Sequence, residues 1–122
     1  MGMTDTGRRL ALDLTIGAGG TNFGSSNAYL GVGTSNTAFA ASQTALQAGE
    51  VREIVDSGGT RATDTITWVA SFETGDANIA WAEQGVFNAS AAGTMLCRVV
   101  TALGTKASGV WTLTYTLAVT NT

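Results

Sequence analysis

The chain has 122 residues, enough for one hydrophobic core and little more. Charged residues make up 12% and hydrophobic residues 44%. The net charge is −3, and the six basic residues, Arg8, Arg9, Arg52, Arg61, Arg98 and Lys106, are scattered. This disfavours nucleic-acid binding, which needs a clustered basic footprint.

The elements follow in chain order. Thr6 to Ile16 (TGRRLALDLTI) predicts a short helix with Thr6 as cap and Gly17 as stop, although Thr15 and Ile16 also suit a strand. Gly17 to Asn27 (GAGGTNFGSSN) is a flexible loop by composition, with Phe23 as its one aromatic. Residues 1–27 are thus an arm and loop, and 28–122 the main domain. Ala28 to Gly33 (AYLGVG) is a short strand with glycines on one parity, a pattern that marks close approach of another backbone. Thr34 to Gly49 reads mainly as a long connection, with room for one helical turn around Ala40 to Leu46. Val51 to Asp56 is a strand and Ser57-Gly58-Gly59-Thr60 a turn.

The second half alternates more clearly. Ile66, Trp68, Ala70 and Phe72 share one face of a strand. Ile79, Trp81, Glu83, Gly85 and Phe87 share one parity of the next. Asn88 to Gly93 is a hairpin loop, after which Met95, Cys97 and Val99 alternate with Leu96, Arg98 and Val100. Gly104 to Gly109 is a further loop. In Val110 to Thr120, Trp111, Leu113, Tyr115, Leu117 and Val119 face in, while Thr112, Thr114, Thr116 and Thr120 face out. Short strands with glycine turns predict an all-β antiparallel sandwich or barrel with a short N-terminal helix. Trp68, Phe72, Trp81, Phe87, Trp111 and Tyr115 are its expected core.

Chemistry finds little to build on. With no His and one Cys, the commonest general base is missing and no Cys/His zinc site can form within one chain. Cys97, in an apolar strand pattern, reads as a buried, inert thiol. The glycine runs lack the Lys of a phosphate loop. Glu73, Asp76 and Glu83 could approach one another near a turn, but not with EF-hand spacing. A carboxylate on an apolar face needs a partner, and Arg98, across the hairpin from Glu83, is the expected one. No catalytic residue, cofactor or metal is expected. No apolar run approaches the roughly 20 residues that span a bilayer, and Met1 to Arg9 lacks the apolar stretch of a secretory signal.

Three segments carry a resemblance: AYLGVGTSNTAFAASQTAL at 28–46, ITWVASFETGDANIAWAEQGVFNASAAGTMLCRVV at 66–100, and LGTKASGVWTLTYTLAV at 103–119. Together they resemble small virion structural proteins of tailed bacteriophages, of the decoration (cement) or tail-fibre-like kind. The resemblance implies a non-enzymatic protein located in the virion and assembled in the host cytoplasm. Its partners would be copies of itself, expected as a trimer, and the major capsid protein or tail proteins. Arg8, Arg9 and Phe23 would form an interface arm. A tail fibre, adaptor or baseplate component is the alternative; a carbohydrate-binding module with exposed tryptophans is a third reading.

Overall fold

The computed structural model describes residues 2–120. Two antiparallel sheets pack face to face with one short helix against them, an all-β sandwich. The strands are β1 (Gly2–Met3), β2 (Tyr29–Gly33), β3 (Val51–Ile54), β4 (Ser57–Ala62), β5 (Thr65–Phe72), β6 (Ala80–Phe87), β7 (Met95–Thr105) and β8 (Trp111–Ala118), and the helix is α1 (Asp5–Thr15). The five-stranded sheet runs β1-β7-β6-β2-β3 and the three-stranded sheet β4-β5-β8.

The helix starts earlier than its sequence signals suggest. Its cap is Thr4 and not Thr6: the Thr4 hydroxyl accepts from Gly7 N at 2.9 Å and donates to the Met95 carbonyl, while Thr4 N donates to Leu96 O at 3.0 Å. One residue thus satisfies an orphan helix amide and fastens the helix to β7. Gly7 permits the contact, since a Cβ there would lie 2.6 Å from Leu96 O. Residues 2–9 therefore hold a strand and a docked helix start, whereas Met1 lies outside the described residues.

The dry core lies between the sheets. Leu30, Val32 and Val86 from the larger sheet meet Trp68, Ala70, Phe72, Leu113 and Leu117 from the smaller. Trp81 packs edge-on against Phe72 at 4.9 Å and against Trp111 at 5.1 Å between ring centroids. Each such pair adds about 0.5–1.5 kcal/mol beyond the area it buries. In β5 and β8 the buried positions follow the period-two alternation. The strand β8 is shorter than its sequence pattern, and Val110 and Val119 at its ends are exposed.

Two further expectations need correction. Ser57 to Thr60 is no turn but the start of β4, where the pairing with β5 slips between Ser57 and Thr60. Gly58 takes φ +120° there, and a Cβ would lie 2.5 Å from Thr67 O. The glycines thus serve a bulge in an edge strand. The other correction concerns β6. Trp81 and Phe87 do not share a face, because a register shift between Trp81 and Glu83 interrupts the pairing with β7. Trp81 and Val86 point into the dry core, while Phe87 joins Met95 and Leu46 in a second cluster on the outer side.

Candidate functional site

That register shift also decides where Glu83 goes. It turns the side chain to the outer face of the larger sheet, beneath the connection 34–50, which contains neither helix nor strand. An irregular segment lying on a sheet needs partners for its backbone amides and carbonyls. Here a buried ion pair supplies them. Glu83 Oε1 accepts from Arg98 Nε at 2.8 Å, and both side chains are fully buried. The same carboxylate accepts from Gln47 N at 2.8 and 3.0 Å, Ala48 N at 3.0 Å and Ser35 N at 3.1 Å. Arg98 continues outward, donating to Gln43 Oε1 at 3.0 Å and Thr37 O at 2.9 Å.

The glycines of β2 and β6 make room for this arrangement. Gly31 lies opposite Gly85, and Gly33 opposite Glu83. A Cβ on Gly33 would sit 2.5 Å from Glu83 Oε2 and 2.6 Å from Ala48 O. The single-parity glycines are therefore the lane into which the connection settles.

Two other cations act in the same way, and sequence reasoning singled out neither. Arg52 donates to Ala89 O at 2.8 Å and Ala92 O at 2.9 Å, pinning the β6–β7 loop. Its guanidinium lies 3.6 Å over the Phe87 ring and pairs with Glu50 at 2.9 Å. Lys106, fully buried, donates to Glu73 O at 2.6 Å and to Asn78 Oδ1 at 2.9 Å. That fixes the β5–β6 turn. Both partner sets are largely backbone carbonyls, which leave no signature in side-chain identity, so nothing in the sequence marks them.

The remaining expected residues are placed as follows. Trp68 and Trp81 are 1% and 2% exposed, Phe72 and Phe87 are fully buried, Tyr115 is buried, and Trp111 is half-buried. Phe23 packs half-buried against the core, and its carbonyl accepts from Trp68 Nε1 at 2.8 Å. Arg8 is exposed and pairs with Asp5 within the helix at 3.0 Å, and Arg9 is exposed. Cys97 is buried, and burial pushes its thiol up to about 11, beyond ready ionisation. Glu73, Asp76 and Glu83 do not converge. Among the described residues no group of three or more His, Cys, Asp or Glu side chains is placed to hold a metal ion.

Two concavities lie elsewhere. An apolar cavity of about 340 Å³ separates α1 from the end of the sandwich, lined by Met3, Leu14, Phe23, Ile66, Trp68 and Leu117. An open cleft of about 240 Å³ runs between β7 and β8, lined by Val99, Thr101, Leu103, Leu113, Tyr115 and Gln84. Neither carries a charged side chain. The Glu83 carboxylate, enclosed and saturated by N–H donors, has no route to an external substrate. Comparison of the chain with known protein families, curated proteins and solved structures finds no match.

Proposed function

We propose that this chain is a non-enzymatic structural protein of a tailed-phage virion, acting as a decoration protein that reinforces the head shell through protein contacts. The observation that carries the reading is the disposition of its scarce charges. Arg52, Arg98 and Lys106 are turned inward to hold loops. The face that β8 leaves to solvent is neutral and rich in Thr. Such a surface loses little side-chain entropy on burial, and interface cores are depleted of charge. The pinned loops further reduce the ordering cost of docking. Many copies held at once then give strong retention from weak individual contacts.

The burial of Trp68 and Trp81 argues against a sugar-stacking platform, and the enclosure of Glu83 argues against acid–base chemistry. The test is quantitative mass spectrometry of purified particles of the phage that encodes the chain. A copy number on the scale of the shell subunits is the expected result. A handful per particle would move the chain to the tail, and its absence from particles would overturn the virion reading. Particles lacking the chain should also lose their genome at lower temperature than intact ones.

A further inference from the structure

The four sheet edges are not alike. In the larger sheet, β1 is two residues long, and β3 is four residues carrying Arg52 and Glu53. In the smaller sheet, β4 carries Arg61, two glycines and the register slip. Short length, charge and bulges are the devices that keep an edge from pairing with another chain. The fourth edge, β8, has none of them. Its eight residues, WTLTYTLA, contain no charge, glycine or proline, and they pair with β5 without interruption. On its other side β8 has no backbone partner among the described residues.

We infer that β8 is a pairing edge, and that a second copy of the chain occupies it: two β8 strands joined antiparallel about a two-fold axis, fusing two three-stranded sheets into one of six. The sequence of β8 is self-complementary for this. With the axis through Thr114, Thr114 meets its own copy, Thr112 meets Thr116, and Leu113 meets Tyr115. With the axis through Tyr115, Thr114 meets Thr116 and Leu113 meets Leu117. In both registers threonine faces threonine and inward apolar residues face one another, and no like charges meet. Cross-strand threonine pairs stabilise sheets, and one is already present inside the subunit, Thr67 with Thr116 at 3.2 Å. The β7–β8 cleft lies beside this edge, and Leu103 on its rim and Val110 at the start of β8 are exposed. They would gain cover from the second copy. A two-fold of this kind is isologous and closes on itself. It takes the place of the trimer implied by the sequence resemblance, and it holds whether or not the chain belongs to a virion.

The experiment is native mass spectrometry and light scattering of the purified full chain over a dilution series. A dimer is expected. Thr114→Lys/Thr116→Lys, two exposed positions that bring lysines together in either register, should be monomeric where the parent is fully dimeric, with an unchanged circular dichroism spectrum. Ile16→Glu, at the exposed C-cap of α1, should leave the dimer intact. Thr114→Cys/Thr116→Cys should form an intersubunit disulfide on mild oxidation, with buried Cys97 unreactive, and this arm decides the matter if the lysine variant misfolds. A monomer at all concentrations, a trimer, a dimer indifferent to the lysines, or no cross-link in the cysteine variant would overturn the inference.

Discussion

The two faces of β6 are held by different forces. On one side Trp81 and Val86 enter the dry space between the sheets, among Phe72, Trp111 and Leu96. What matters there is apolar area and fit, and swaps that conserve volume are tolerated. On the other side Glu83, Gly85 and Phe87 lie under a connection with no ladder of its own. That side depends on a carboxylate, a guanidinium and the amides of Ser35, Gln47 and Ala48 meeting at bonding distance. Removing one member strands the rest, because a buried polar group left unpaired costs more than its bond contributed. The lesson is that an irregular covering segment can be as firmly fixed as a strand, provided ions inside the fold satisfy its backbone.

The largest test of this contrast is Arg98→Met, which keeps most of the apolar stem but leaves the Glu83 charge buried without its counter-ion. The expected loss is about 3–5 kcal/mol in urea unfolding, with faster proteolytic cleavage between residues 34 and 50. Adding Glu83→Gln should recover part of the loss, since the amide oxygen still accepts one or two of the connection's N–H groups and no charge remains buried. A loss under about 1 kcal/mol for Arg98→Met would mean that packing alone holds the outer face, in the range of ordinary surface changes.

A smaller effect sharpens the same point from the backbone side. Gly33→Ala pushes a methyl group against both Glu83 Oε2 and the Ala48 carbonyl. Overpacking of this order costs about 1–3 kcal/mol. Gly75→Ala is the matched control, because a Cβ there meets nothing within 4 Å. If the two variants melt together, the connection is not seated on the glycine lane.

Much of the dry side was legible in the sequence. Alternation over Ile66 to Phe72 and Trp111 to Leu117 gives strands and inner faces directly, because a side-chain period of two is the only condition such strands must meet. The glycine parity of β2 likewise pointed to a close backbone. What failed to show was the shift between Trp81 and Glu83. One extra residue in a strand exchanges faces for everything beyond it, and nothing in AWAEQGVF marks the position. Glu83 and Arg98 could be paired in thought because a carboxylate on an apolar parity needs a partner and Arg98 lies across the hairpin from it. Their role in holding Thr34 to Glu50 could not, because their other partners are mostly backbone groups. Arg52 and Lys106 were missed for the same reason.

The smallest expected effect concerns a second carboxylate whose situation is the reverse of that of Glu83. Glu53 follows Arg52 on β3 and pairs across from Leu30, so it faces the margin of the dry side. Partial burial raises its pKa above the ordinary 4.5, and the neighbouring carboxylates of Asp76, Glu73 and Asp56 add to the rise. A raised carboxylate binds its proton more tightly in the folded than in the unfolded chain. Folding stability from this group is therefore greatest at acid pH and falls as pH climbs from the ordinary value through the raised one. Glu53→Gln removes the ionisation, so the variant should match the parent at low pH and exceed it modestly at neutral pH, as read from urea midpoints. A parent whose stability rises over that interval relative to Glu53→Gln would show that the acidic margin is compensated after all, and that the two faces of the sheet differ less in their treatment of charge than in their treatment of apolar area.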